Sequence, residues 1–232
     1  MSLWQWFTDP AHWSGPGGIP MRTWEQVQMS LLAMVIALLI ALPFALVLGH
    51  LRRGVLLATN ISNVGRAIPT LGVLIILASI PSIGVGNTAA VLALAVFAIP
   101  PLVTNTFAGM ASVDRTVLDA GEGMGMTSPQ RVLFIELPLA TPLIVAGIRT
   151  ASVQVVATAS LAALVGGGGL GRYVVDGFAL QDNTLIIAGA LLTALLAIVA
   201  EFGLAAFERV ATPPGLRARN ADARLVIADT AG

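Results

Sequence analysis

Few residues in this 232-residue chain are of a type that does chemistry, and their spacing excludes most of it. There is no cysteine, so disulfides, thiolate metal sites and cysteine nucleophiles are ruled out. The two histidines, His12 and His50, stand alone in the sequence and build no metal-ligand cluster. Glycines crowd positions 121–125 and 166–171, but neither run leads into Lys-Ser or Lys-Thr, so there is no phosphate-binding P-loop. No nucleophile elbow, no His-Glu-x-x-His and no pair of intramembrane carboxylates is present. A membrane enzyme is therefore a remote alternative, and no cofactor or metal is expected.

Two sets of charged residues remain. Asp119, Glu122, Arg131 and Glu136 lie on one polar island, Asp119 to Pro138, between long apolar blocks. Arg66, Arg149 and Glu201 fall inside apolar blocks. Ionisable groups within a membrane span are costly and face a protein interior or a water-filled cavity. They either line or brace a translocation path, or they form a structural Arg–Glu pair, or an arginine snorkels to the interface.

The elements that position these groups follow from composition. The chain is 56% hydrophobic and only 10% charged, with a mean hydropathy of +0.89, whereas a soluble domain carries about 25% charged residues. It is expected to be an all-α polytopic membrane protein. Its zero net charge argues against nucleic acid as a partner. A span needs roughly 20 apolar residues, and five blocks qualify: 29–49, 55–80, 88–109, 139–165 and 184–207. Pro43 is placed to kink the first; 60–69 and 100–105 are placed to interrupt the second and third, as in transporters with discontinuous helices. Small residues from Ala146 to Ser160 suit either tight helix packing or a helix facing its symmetry mate across a pore.

Residues 1–24 carry Trp4, Trp6, Trp13 and Trp24 and are expected to lie in the interface, with Ser14–Gly18 breaking any helix. Residues 25–208 form the membrane domain, and 209–232 a disordered tail. One side of the membrane would hold Arg52, Arg53, Arg115, Arg131, Arg209, Arg217, Arg219 and Arg224, the other only Arg22 and Arg172. Positive residues favour the cytoplasm, so the expected topology is N-terminus out, C-terminus in, with residues 114–138 cytoplasmic.

The island divides at a hinge. Gly125 can supply a left-handed turn that ends one helix. The next helix starts either at Ser128 with Pro129 first, or through a Thr127–Gln130 capping box. Asp119-Ala120-Gly121, then three residues to Gly125, nine to Ile135, and Leu137-Pro138 after one more, repeat a gapped pattern. That pattern resembles the E-A-A motif of ABC importer permeases, with Asp for Glu at 119 and Gly for Ala at 121.

Further stretches, Asn63–Leu71, Gly84–Thr88, Pro100–Thr106, Gly147–Ala151 and the run to Leu170-Gly171, resemble the osmoprotectant-uptake permeases. The resemblance covers about residues 25–208 and implies a type I importer fold like that of methionine permeases, in a bacterial inner membrane. It implies a subunit for glycine betaine, choline or carnitine uptake, with methionine or another amino acid as the alternative. Two permeases, cytoplasmic ATPase subunits and an extracytoplasmic binding protein are implied as partners. Residues 119–121, 125, 135, 137 and 138 would couple to the ATPase. With one tyrosine, Tyr173, and tryptophans confined to the N-terminal end, no aromatic cage for a quaternary amine is expected in the spans.

Overall fold

The structure, a computed structural model, describes residues 2–52 and 54–211. Arg53, the side chain of Arg66, and the tail from 212 with Arg217, Arg219 and Arg224 lie outside the described residues. Among the described residues every regular element is helical. α1 (Leu3–Thr8) and a 3-10 turn (Pro10–Trp13) precede α2 (Ile19–His50). Then come α3 (Val55–Ala67), α4 (Thr70–Ser79), α5 (Asn87–Ala111), α6 (Arg115–Gly123) and α7 (Ser128–Arg131). α8 (Leu137–Thr158), α9 (Gly171–Leu180) and α10 (Asn183–Ala211) complete the order.

α2, α5, the helical run Ser128–Val165 and α10 are each long and apolar enough to cross a membrane. α3 and α4 meet at an 80° bend and together make the fifth span. The break has a local cause. Proline pushes the residue before it out of the helical region, and Ile68 takes φ −76° and ψ 120° ahead of Pro69.

The other expected interruption is absent: α5 runs unbroken through Pro100 and Pro101. Two prolines remove two backbone donors, yet α3 packs onto the Pro100 ring at Gly65, where a Cβ would clash. The Asn105 side chain also donates to the Pro101 carbonyl at 2.8 Å. α2 likewise continues through Pro43.

α2, α5 and α8 share the central core. On α2 the contact is a ladder of small residues four apart, Ala33, Ala37, Ala41 and Ala45, all buried, ending at Gly49 against Met110 of α5. Residues at i and i+4 lie on one helix face, and small ones let backbones approach closely in lipid. On α8 the small residues divide between two faces. Gly147, Ala151 and Ala159 are buried, and a Cβ on Gly147 would stand 2.6 Å from Asn105 Cβ. Thr150 and Ala157 are exposed with Gln154 on the other face.

The N-terminal segment differs from a simple interfacial stretch. α2 starts at Ile19, so Trp24 lies in the first turns of a spanning helix and not ahead of it. Trp6 is buried, stacked on His12 and edge-on to Tyr173. Trp4 and Trp13 are exposed. An indole gains more from closing this cluster over α9 and α10 than from lying flat outside it.

Candidate coupling segment and transmembrane cleft

Residues 114–138 join α5 to α8 as two short helices set at a turn. Asp114 caps α6, accepting from the Thr116 amide at 2.9 Å. α6 ends on Gly125 at φ +82°. There the Gly125 amide donates to Glu122 O at 2.9 Å and the Met126 amide to Gly121 O at 3.1 Å. This pair of bonds is the Schellman closure that a left-handed glycine permits. Thr127 is the cap of α7, and its amide donates to the Gln130 side chain at 2.7 Å. Of the two starts open to the sequence, the capping box is the one formed.

A single π turn, Val132–Glu136, then leads into α8, with the Leu137 amide donating back to Val132 O. Pro138, early in α8, has no amide to offer the preceding turn, and a widened turn absorbs that loss. The Leu-Pro pair therefore marks where the connection becomes a span.

The motif residues take distinct places. Gly121 is buried, and a Cβ there would meet Ile135 Cδ1 at 2.7 Å. Its smallness thus serves the packing of α6 on the turn that leads into α8. Asp119 and Ala120 are exposed, and Asp119 forms no ion pair among the described residues. Glu122 pairs with Arg131 across the turn and holds the two arms together. The same connection exposes Met124, Leu133 and Phe134, with Met124 76% and Phe134 70% accessible.

The intramembrane charges resolve into a pair and more. Arg149 Nε donates to Glu201 Oε1 at 2.9 Å and its Nη1 to Glu208 Oε2 at 2.7 Å, tying α8 to α10. Glu208 was not singled out in the sequence, although it lies seven residues, two turns, after Glu201 on one face. Arg66 sits in the last turn of α3.

Between α3, α5 and α8 lies a cleft of about 130 Å³, lined by Ser62, Thr104, Asn105, Thr150 and Gln154 with Phe97. The Thr104 hydroxyl is buried there with no partner among the described residues. Uncharged polar groups gathered at membrane depth call for water or protein opposite them.

At the far end the glycine run becomes a strap across the bundle. The Gly168 amide donates to Asn87 Oδ1 at 2.8 Å, Gly169 to Glu25 Oε2 at 2.8 Å and Leu170 to Gln26 Oε1 at 2.9 Å. Gln26, fully buried, also donates to Val156 O at 3.0 Å. Arg22 pairs with Glu25 at 2.9 Å, and the Tyr173 hydroxyl donates to Gly17 O at 2.7 Å. Burial raises the pKa of that phenol above its usual value.

His50, an isolated residue in the sequence, is central in space. Its Nδ1 is 2.8 Å from Glu136 Oε1 and its Nε2 2.6 Å from Ser128 Oγ. The partners are 86 and 78 residues away, so no local signal could have found them. Among the described residues no three metal-ligating side chains gather.

The family model described as "Binding-protein-dependent transport system inner membrane component" matches residues 33–212. The chain belongs to that family. Its members are transport components and not enzymes, and this one is a multi-pass inner-membrane permease subunit of an ABC importer. The chain is 38% identical to a choline transport system permease protein of Bacillus subtilis, over 87% of this chain and 92% of the relative. It is 35% identical to an osmoprotectant import permease of Salmonella typhimurium, over 87% and 95%. Among solved structures it is similar to the permease fold of a methionine ABC transporter in inward-facing conformations, with TM-score 0.72 and 24% identity over 89% of this chain and 100% of that one. Amino-acid transport is thus a likeness of fold. The importer permease fold expected from the motif is the one observed.

Proposed function

We propose that this permease subunit carries a compatible solute of the quaternary-ammonium class, such as choline, glycine betaine or carnitine, inward by alternating access. The observation that carries the reading is the connection 114–138. It exposes a carboxylate, Asp119, with no ion pair among the described residues, and carries exposed Met124 and Phe134 on the same braced two-helix corner. Exposed apolar side chains in a patch mark a protein contact. Having no P-loop of its own, the chain takes its energy from a cytoplasmic ATPase docked on that corner. Asp119, Ala120 and Gly125 shape the docking face, while Gly121, Ile135, Leu137 and Pro138 set the angle between the corner and α8.

The N-terminus lies outside and the C-terminus inside. Arg52, Arg115, Arg131 and Arg209 lie at the end that carries the connection, against Arg22 and Arg172 at the other. A second permease, identical or paralogous, completes the pathway, and a binding protein delivers solute to the outer face. The polar cleft from Ser62 to Gln154 lines part of that pathway, and Arg149 with Glu201 braces it from behind. Trp24 lines a groove of the spans with no second aromatic residue among that groove's lining, which makes no cage, so selection falls to the binding protein.

The fold likeness to methionine and amino-acid transporters supports the second reading less, because the relatives at 35–38% identity are named for choline, carnitine and osmoprotectants. The test is uptake into proteoliposomes holding the complex that co-purifies with this chain in mild detergent. ATP-dependent accumulation of choline or glycine betaine is expected. Accumulation of methionine in their place overturns the solute class, and a lone active enzyme in the preparation overturns the whole reading.

A further inference from the structure

The end of α2 grips both ends of the connection. Gly49 abuts Met110, and Arg52, held at φ +48°, donates to the Val113 carbonyl, both just before α6. His50, between them, binds Ser128 and Glu136 just after it. Nδ1 faces the Glu136 carboxyl and Nε2 faces the Ser128 hydroxyl, which can donate or accept. The ring thus bonds two points about two turns apart.

Glu136 is 2% exposed, and its second oxygen, Oε2, is buried with no partner among the described residues. Burying a carboxylate so incompletely satisfied is dearer than an apolar side chain of the same size. Packing alone gives no reason to keep it, whereas a fixed geometry between α2 and the connection does. A non-glycine residue at positive φ next to it, Arg52, is a further local cost borne at the same joint.

We infer that His50 is a positioning residue for energy coupling: it holds the end of α2, α7 and the start of α8 as one unit, so that motion of the docked connection enters the bundle through α2. This rests on the docking reading above. α6 and α7 move with the ATPase, and α2 moves with them, because Ser128 and Glu136 share one ring.

The chain lacks cysteine, which makes the experiment direct. The complete importer is reconstituted with its co-purifying subunits, and choline or glycine betaine uptake is read together with ATP hydrolysis. Ser128→Ala, on the exposed side of the joint, and His50→Ala are each expected to raise ATP spent per solute roughly tenfold, the scale of one net hydrogen bond. In the pair His50→Cys with Ser128→Cys, a short bis-methanethiosulfonate bridge is expected to restore the ratio.

Unchanged ratios in both single variants overturn the inference. So does a bridge that stops uptake, because the two residues would then have to separate during the cycle. A merely structural role lowers yield and leaves the ratio alone. If the unmodified importer shows no ATP-dependent uptake, it is the docking reading that falls.

Discussion

Gly121 and Ile135 touch across the hinge: a Cβ on Gly121 would stand 2.7 Å from Ile135 Cδ1. The spacing of the motif is therefore the spacing that lets α6 fold back on the start of the α8 run. Since the obstacle is the tip of a flexible side chain, Gly121→Ala is tolerated by a small shift of Ile135. Gly121→Leu overfills the corner by about 1–3 kcal/mol. Uptake by Gly121→Ala is expected near normal and by Gly121→Leu strongly reduced, with equal membrane insertion, read by transport assay against blotted membrane protein.

Gly125 supplies the positive φ of +82° on which the α6 closure depends. Gly125→Val forces a β-branched residue into the left-handed region at a cost of about 1–2 kcal/mol, so the turn opens and docking geometry is lost. Asp119→Arg reverses the charge on the exposed face without touching the turn. Both are expected to abolish uptake while the protein still inserts. Full transport by either variant removes the docking role from that residue.

Gln26 satisfies Leu170 N–H and Val156 C=O at once. Gln26→Leu leaves the buried Leu170 amide unpaired and takes this donor from the part-buried Val156 carbonyl, worth about 1–3 kcal/mol. The expected result is a lower melting temperature in mild detergent and faster amide exchange confined to residues 166–171.

Arg149 forks to Glu201 and Glu208, and each partner is about a third exposed or somewhat less. Arg149→Met leaves the two carboxylates unbalanced at a screened cost of about 1–2 kcal/mol. Lysine has one charge point and cannot span both, so Arg149→Lys recovers only part. If the fork braces the helices and does not meet solute, melting temperature falls while uptake per folded molecule stays close to normal.

What could be seen in the sequence was what local chemistry decides. Hydropathy marked five spans, Pro69 marked the break after Ile68, and Gly125 with Thr127 and Gln130 marked the hinge and its cap. What could not be seen depends on distant partners. His50 read as isolated because Ser128 and Glu136 lie in another third of the chain. Trp6 read as interfacial because Tyr173, its cover, comes so much later. Pro100 and Pro101 read as a break because nothing local reveals Gly65 packed on the ring. The ladder from Ala33 to Gly49 is a four-residue repeat of small residues, but the uniform greasiness around it hid the pattern.

That ladder bears on mechanics. Alanine and glycine have no rotamers to lose, and backbones in close approach leave no slack for side chains to take up. Along the ladder α2 and α5 are packed like a single beam. With 32 residues α2 is about 48 Å long, more than the membrane's hydrocarbon depth. One end of this beam carries His50 and the other carries Glu25 and Gln26, which hold the glycine strap. Like a rocker arm, it can deliver a tilt imposed at the end that carries the connection to the strap at the opposite end.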